Sequence, residues 1–396
     1  MLDESYPPEV RQNITALTVA RLCANSCYRF APPFLATIAR GTHASLDQLG
    51  IAIALSELTG MLSPLNARLV DRMTRRAAMA VGLGGVAIGT AVAAGSQGIV
   101  MLTVSLMVLN QSKVMFDLGM GSWIADHVAY HRRSRVVGLT ETSWALGLLI
   151  GVSVMGLVTA ATNWRVGYLT GAAAVTVSAL VVLARLPALQ AHSSLVPTAR
   201  ERTPLATRSW VIIGGASALM ASAQCLFVTF GTWLEDDFGF TPATISAVVV
   251  GLGLGELLAS VTSARRTDRW GKEWSAALGA AMIVPAGVAL SLWHGHLGVG
   301  LVALAVGIGG FEFAIVSALA IGSNLVPGSP ARGLGLMVGA GTMGRAIASV
   351  PATRWYDSGG VSGPALMAAG FACVTVIAMT TVHRSAVSTV SAVSAV

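Results

Sequence analysis

The sequence predicts an all-α membrane protein with twelve transmembrane helices in two pseudo-symmetric bundles of six, and three observations predict it. The 396-residue chain is 54% hydrophobic and 11% charged, with a mean hydropathy of +0.71, whereas a soluble domain carries roughly a quarter charged residues to cover its surface. Apolar blocks of about 20 residues recur from end to end, each long enough to cross a hydrocarbon layer as a helix. A loop is also repeated: "ARLVDRMTRR" at 67–76 and "ARRTDRWGKE" at 264–273 share Ala-Arg-x-x-Asp-Arg, and Asp71 and Asp268 lie 197 residues apart, half the chain.

The predicted spans are 13–38, 46–67, 78–97, 99–124, 136–160, 165–186, 210–233, 242–264, 274–293, 297–322, 332–354 and 362–383. None alternates polar and apolar residues as a lipid-facing strand must, which sets a β-barrel aside. Pro32-Pro33, Pro285 and Pro351 fall within or near the ends of spans, where neighbouring groups satisfy the carbonyls that a kink frees. The opening "MLDESYPPEVRQ" has no basic leader and no small-residue cleavage site, so no cleaved signal peptide is expected. The duplication divides the chain into a bundle at 1–186, a polar linker at 187–209 and a second bundle at 210–396, a parallel repeat of six helices.

Lys and Arg beside spans are retained in the cytoplasm. With the N-terminus inside, 18 of the 25 basic residues fall on inner segments, three (Arg40, Arg165, Arg354) on outer ones, and four (Arg21, Arg29, Lys113, Arg345) within spans. Both termini are therefore expected in the cytoplasm. Only two of the 25 are Lys, a bias that points to a GC-rich bacterial genome and so to the inner membrane. The net charge of +7 is spread over inner loops; a basic balance of that kind sets topology and calls for no nucleic-acid partner. All four cysteines lie in spans, and none needs a disulfide. Cys23 and Cys27 share a helix face suited to a soft metal, but with no His in any span core they read as packing residues, and no metal is expected.

At the repeated loop the chain resembles the major facilitator superfamily, whose signature between spans 2 and 3 runs Gly-x-Leu-x-Asp-Arg-x-Gly-Arg-Lys/Arg. Leu69, Asp71, Arg72, Arg75 and Arg76 match it, with Ala67 and Thr74 in place of the glycines; in the second copy Asp268, Arg269, Gly271 and Lys272 match. "NWRVGY" at the start of span 6 is also similar to that family. The resemblance covers nearly the whole chain. It implies the family's fold, secondary transport by alternating access, and a cytoplasmic gate in which Asp71 and Asp268 pair with basic groups across helices; a purely topological role for these charges is the other reading. The chain departs from drug–proton antiporters of the family in two places. Their span-5 motif Gly-x-x-x-Gly-Pro-x-x-Gly-Gly is met by Gly147, Gly151 and Gly156 of "GLLIGVSVMG", but Val152 replaces the proline. Where they carry an Arg in span 4, Met115 stands here, and the nearest base is Lys113.

An ionised side chain near the bilayer centre costs roughly 2.5–3.5 kcal/mol on insertion scales, so such groups tend to be paired, to face a cavity and to be functional. Near mid-depth lie Arg29, Glu57, Lys113, Glu256, Glu312 and Arg345, with Arg21, Asp117 and Glu141 closer to the inner surface. Spans 3, 6, 9 and 12 carry none in their cores; by the resemblance these are lipid-facing supports, spans 1, 4, 7 and 10 line a cavity, and spans 2, 5, 8 and 11 join the halves. Lys113 and Asp117 meet at i,i+4 on one helix face. One reading is a structural salt bridge. The other is a switch, since loss of a basic partner or drying of the cavity raises a carboxylate's pKa and ties proton uptake to the open side. Glu57 and Glu256 are near-equivalents, 14 and 12 residues before Asp71 and Asp268, with Arg29 and Arg345 as available partners. Glu312, between two Phe in "GGFEFAIV", is the first choice for a proton-titrating or cation-binding carboxylate; a buried partner for Arg345 or Lys113 is the alternative. Glu141 is expected to pair at the inner gate.

Five acids face four bases within the spans, which does not favour an anionic substrate. Tyr28, Phe116, Phe227, Phe230 and Phe311, with Gln224 as a polar contact, would line an apolar pocket for amphipathic molecules; packing is the other reading of these aromatics. The expected function is proton-coupled export of a small amphipathic or weakly cationic compound, by a monomer powered by the proton gradient without a cofactor. A proton-coupled symporter importing a sugar-like or polar metabolite is the rival, and a non-transporting membrane receptor a third reading. No Ser/His pair or metal-ligand set lies within the spans to suggest an enzyme, and no Gly-x-x-x-x-Gly-Lys-Ser/Thr loop suggests an ATP-driven pump.

Overall fold

The computed structural model describes residues 4, 6–129, 133–187, 205–322, 325–326 and 330–394. Among these residues all regular structure is helical. Packing divides the chain into two compact units, one of residues 1–201 with 240–253, the other of 202–239 with 254–396. Of the predicted linker, residues 188–204 lie outside the described residues.

The first unit holds α1 (Pro8–Arg29), α2 (Leu35–Thr42), α3 (Leu46–Leu58), α4 (Ser63–Asp71), α5 (Arg75–Gly95), α6 (Ile99–His127), α7 (Arg133–Leu146), α8 (Ser153–Ala161) and α9 (Trp164–Arg185). Their starts follow capping chemistry. Ser45 and Gln48 exchange side-chain and backbone bonds at the head of α3, a reciprocal arrangement that satisfies two orphan amides. Thr74 accepts from the Ala77 amide at 3.1 Å to open α5, and Asn163 accepts from Arg165 and Val166 to open α9.

Four of the predicted spans are not single straight helices; one of them, span 7, is interrupted at 228–229 between the helices Thr207–Phe227 and Phe230–Phe238. Span 1 breaks at the tight turn Pro32–Phe34, because two successive prolines remove two amides from the helical ladder. Span 2 passes through the 3₁₀ segment Thr59–Leu62 just ahead of Pro64, and its two parts are bent by 50°. Span 5 widens into a π-turn at Gly147–Val152, the segment that carries the altered antiporter motif.

The core of the first unit includes Leu17, Leu83, Val86, Leu109, Phe116 and Val175. Glycine lets α5 and α6 touch: a β-carbon at Gly82 would stand 2.6 Å from the Phe116 amide nitrogen, an approach that membrane helices use in place of a hydrophobic drive.

The second unit holds α10 (Thr207–Phe227), α11 (Phe230–Phe238), α12 (Pro242–Trp270) from Leu254 onward, α13 (Lys272–Trp293), α14 (Leu297–Gly322), α15 (Pro330–Gly359) and α16 (Ser362–Ser394). Gly271, at φ 89°, makes the turn from α12 into α13, a conformation that costs glycine nothing. Pro285 and Pro351 sit inside continuous helices. Ile212, Ala216, Ala277, Ile321, Met337 and Met379 build this core. A β-carbon at Gly279 would meet the Gly310 carbonyl at 2.6 Å.

The two units repeat in register. Arg75 and Lys272 open α5 and α13, Arg133 and Pro330 open α7 and α15, and each pair is 197 residues apart, the spacing of the repeated loop. Gly82 and Gly279 keep the same spacing.

Nine helical segments among the described residues are long and apolar enough to cross a membrane, ten if the bent span 2 counts as one. The two predicted spans outside that set are the first and the eleventh. α1 carries Glu9, Arg11, Arg21 and Arg29, charges that lower its hydropathy; Arg21 and Arg29 bond to other helices of the unit. Large apolar side chains such as Ile88, Leu180, Leu292 and Ile377 are exposed on α5, α9, α13 and α16, the helices of spans 3, 6, 9 and 12.

Candidate functional site

In the first unit the in-span charges of three helices form one bonded network. Arg21 on α1 bonds Asp117 on α6 through Nε at 3.1 Å and Glu141 on α7 through Nη1 at 2.7 Å. Its Nη1 also donates to the Thr140 carbonyl at 3.1 Å. The other oxygen of Asp117 accepts from Lys113 Nζ at 2.7 Å. Two bases and two acids balance, as burial of charge requires. One turn deeper, Lys113 Nζ lies 5.4 Å from the Tyr28 ring centre and 5.8 Å from that of Trp144, within reach of the attraction between a cation and an aromatic face. Tyr28 donates its hydroxyl to Glu57 Oε1 at 2.5 Å. Arg29 donates to the Trp144 carbonyl at 3.0 Å and stands 4.5 Å over its ring. An ionic cluster thus continues into a cation–aromatic cluster along α1, α6 and α7.

The second unit is built differently. Ser260 on α12 donates its hydroxyl to Glu312 on α14. One turn along, Ser263, Thr267 and Ser317 bond to one another at 2.8–3.2 Å, and Ser263 donates to the Phe313 carbonyl at 2.9 Å. All three of these hydroxyl residues are buried. Gln224 on α10 donates to Ser349 on α15 at 2.9 Å. Phe227 and Phe311 meet edge to face at 6.1 Å.

The predicted residues therefore distribute as follows. Lys113 and Asp117 pair, and Glu141 finds its base in Arg21. Arg29, Glu57, Lys113, Glu256 and Glu312 are buried, and Arg345 is half-buried. Phe116 is fully buried against Gly82 in the core of the first unit, and Phe230 is buried to the same degree. Tyr28 is half-buried beside the ionic network. In the first copy of the repeated loop, Arg75 bonds Asp126 at 2.8 Å and reaches Asp71 at 3.5 Å, while Asp71 and Arg72 are exposed and Arg76 half-buried. In the second, Arg269 is exposed and Lys272 half-buried, and the Asp268 side chain lies outside the described residues.

Four participants escape a search for in-span charges with partners on their own helix: Arg21 as the hub, Trp144, Asp126 and Ser260. A signal for two of them, Arg21 and Ser260, is present. Arg21, Asn25 and Arg29 recur every four residues, a polar stripe on one face of α1, and Asn25 donates to Ser143 on α7 at 3.2 Å. Ser260, Ser263 and Thr267 recur at three and four, a second stripe on α12. Asp126 lies past the end of the predicted span, where a charge looks like ordinary surface.

An all-helical chain with lipid-facing apolar helices and bonded charge inside its bundles is a polytopic membrane protein. A sequence profile of the Major Facilitator Superfamily matches residues 17–349, and the chain belongs to that superfamily. Over 246 residues it is 24% identical to Multidrug resistance protein 1 of Bacillus subtilis, which covers 60% of this chain and 62% of that one. Over 151 residues it is 26% identical to the uncharacterised transporter YwfA of the same organism, covering 38% of this chain and 37% of that one. The chain thus spans less than two thirds of the length of these relatives. Its fold is that of the human organic anion transporter MFSD10 (TETRAN), with a TM-score of 0.71, 18% identity and coverage of 94% of this chain and 100% of that one. It is equally that of an inward-facing, occupied bacterial homolog of the human lysosomal transporter Spinster, with a TM-score of 0.74, 13% identity and coverage of 96% and 97%.

Proposed function

We propose that the protein is a proton-coupled secondary transporter of alternating access, exporting a small amphipathic or weakly cationic compound. The observation that carries this reading is the network of Arg21, Lys113, Asp117 and Glu141, which joins α1, α6 and α7 through charge and adjoins the aromatic pair Tyr28 and Trp144. A carboxylate shared between two bases is a natural exchange point: protonating Asp117 frees Lys113 and Arg21 to change partners, which couples a proton to a helix rearrangement. Aromatic faces beside a displaceable lysine suit a competing organic cation. Similarity to a relative named for multidrug resistance supports the same cargo class.

In this reading Glu312 is the titrating carboxylate of the second half, the duplicated loops form the gate on the cytoplasmic side, and two six-helix halves at 1–186 and 210–396 move about the linker. The chain acts as a monomer in a bacterial inner membrane with both termini in the cytoplasm, and the proton gradient supplies its energy. Symport of a polar metabolite is the second reading; Val152 at the place of the antiporter proline, inside the π-turn Gly147–Val152, favours it.

The test is proton flux in liposomes containing the purified protein and a pH-sensitive dye, on addition of amphipathic cations and then of sugars. Cation-evoked flux is expected, reduced at least about tenfold in Glu312→Gln and in Asp117→Asn, a loss of roughly 1.4 kcal/mol in the driven step. Flux evoked by sugars alone would replace the exporter with the importer, and normal flux in either variant removes that residue from the coupling role.

A further inference from the structure

The turn between α12 and α13 exposes what its counterpart in the first unit does not. Trp270 and Trp274 are 42% and 46% exposed, and together with Leu278 they line a groove of about 390 Å³. The positions 197 residues earlier are Met73, Ala77 and Val81. The walls are held in place: the Trp270 ring lies 6.2 Å from that of Phe313 on α14, and the Trp274 ring 6.0 Å from that of His383 on α16. The guanidinium of Arg266 stands 5.8 Å over Trp270. Arg265, Arg266 and Arg269 are exposed on the last turns of α12, and Lys272 is half-buried at the start of α13.

Asp268 and Glu273 are the acids of this turn, and the Asp268 side chain lies outside the described residues. Glu273 is engaged by Arg208 at 2.9 Å. In the first unit Asp126, at the end of α6, answers Arg75; 197 residues on stands Ser323, and the sequence has no Asp or Glu at all between Glu312 and Asp357. The groove therefore combines exposed positive charge with an apolar, aromatic wall at the end of two membrane-crossing helices.

We propose that this groove binds an anionic phospholipid of the leaflet on its side of the membrane. The phosphate sits among Arg265, Arg266 and Arg269, and an acyl chain runs along Trp270, Trp274 and Leu278. Arginine suits phosphate through its planar, multiply donating head, and tryptophan settles at the depth of lipid head groups. Basic loops and scattered interfacial aromatics are general features of membrane proteins, and both halves share the first of them. The paired tryptophans over a groove belong to the second half alone, and they turn diffuse attraction into one seat. The inference is independent of cargo, direction and proton coupling.

Tryptophan emission of the full chain in phosphatidylcholine vesicles tests it, with a rising fraction of brominated phosphatidylglycerol or of brominated phosphatidylcholine as quencher. Phosphatidylglycerol is expected to quench at clearly lower mole fractions. Arg265→Gln and Arg266→Gln each shift that curve about fivefold toward the phosphatidylcholine curve, the factor for one basic group near an anionic surface. Trp270→Phe with Trp274→Phe abolishes the difference, whereas Trp210→Phe, at another exposed tryptophan, keeps it. Coincident curves for the two lipids overturn the proposal, as does a lipid preference that survives the double tryptophan variant. Loss of the preference on adding inorganic phosphate, but not chloride of equal ionic strength, assigns the site to a soluble anion and overturns it too. Helical circular dichroism of each variant in the same vesicles separates loss of the seat from loss of the fold.

Discussion

The two units share a packing scheme and have parted in their chemistry. Gly82 and Gly279 occupy equivalent places, and each brings a helix pair into backbone contact; Phe116 and Phe313 are equivalents on the facing helices. The charged network has no such echo. The places of Arg21, Lys113, Asp117 and Glu141 are taken in the second unit by Ala218, Gly310, Ala314 and Val338. Conversely, Glu312 and Ser317 correspond to Met115 and Met120, and Thr267 to Val70. In the first unit an ionic network joins α1, α6 and α7, and in the second a hydroxyl cluster joins α12 and α14. Close glycine contacts leave no freedom of side chain, so both copies retain them, while polar groups that need only a balanced set of partners can be exchanged as a set.

The sharpest way to break this contrast is to remove the hub of the ionic network. Arg21→Met leaves Asp117 and Glu141 without their shared cation, and stranding buried charge typically costs 3–5 kcal/mol. About 3 kcal/mol is expected here, since the Glu141 side chain is 40% exposed and keeps some water. Denaturant unfolding of the detergent-solubilised protein measures it. A cost below about 1 kcal/mol would mean that the network carries no structural weight.

The shared packing comes next. Gly82→Val and Gly279→Val force a side chain into helix contacts that leave no room for a β-carbon, and overpacking costs typically 1–3 kcal/mol. The two variants should lose similar stability in the same unfolding assay. A large effect at one glycine alone would show that the units do not pack alike.

Both parts of the contrast differ in how openly the sequence displays them. The class of fold is legible because apolar length and basic asymmetry are properties of single segments, and the duplication is legible because Asp71 and Asp268 stand in near-identical surroundings. Lys113 with Asp117 is legible as a pair because both lie on one helix. Arg21 is visible as a charge but not as a hub, since its partners lie 96 and 120 residues away and only the packing of α1 against α6 and α7 brings them together. Phe116 reads equally well as pocket or core in the sequence, and its close approach to Gly82 shows only once α5 and α6 are packed. The breaks in spans 1 and 2 follow from Pro32, Pro33 and Pro64, whereas the π-turn at Gly147–Val152 has no proline to announce it.

A smaller effect probes the hydroxyl side. Ser317→Ala removes one member of the triad with Ser263 and Thr267. A neutral hydrogen bond is worth about 1 kcal/mol net, and serine bonds between membrane helices average somewhat less, so a loss near 1 kcal/mol is expected, well under that of Arg21→Met. Equal losses in the two variants would erase the distinction between ionic and hydroxyl fastening.

The smallest difference is between the two copies of the loop. Arg75 is bonded to Asp126 and Asp71, while for Lys272, its equivalent, the position 197 residues after Asp126 is Ser323, which offers no acid. Arg75→Gln should cost about 1 kcal/mol through a charge-assisted bond that is partly shielded from water, and Lys272→Gln no more than about 0.5 kcal/mol, the usual range for a surface change. High salt sharpens the test, because screening weakens exposed pairs first: the cost of Arg75→Gln should shrink between low and 0.5 M salt, and that of Lys272→Gln should stay near zero throughout. If Lys272→Gln proves the more costly, the second loop is tied to the protein after all, and its positive charge is spent on side chains instead of being open to a lipid.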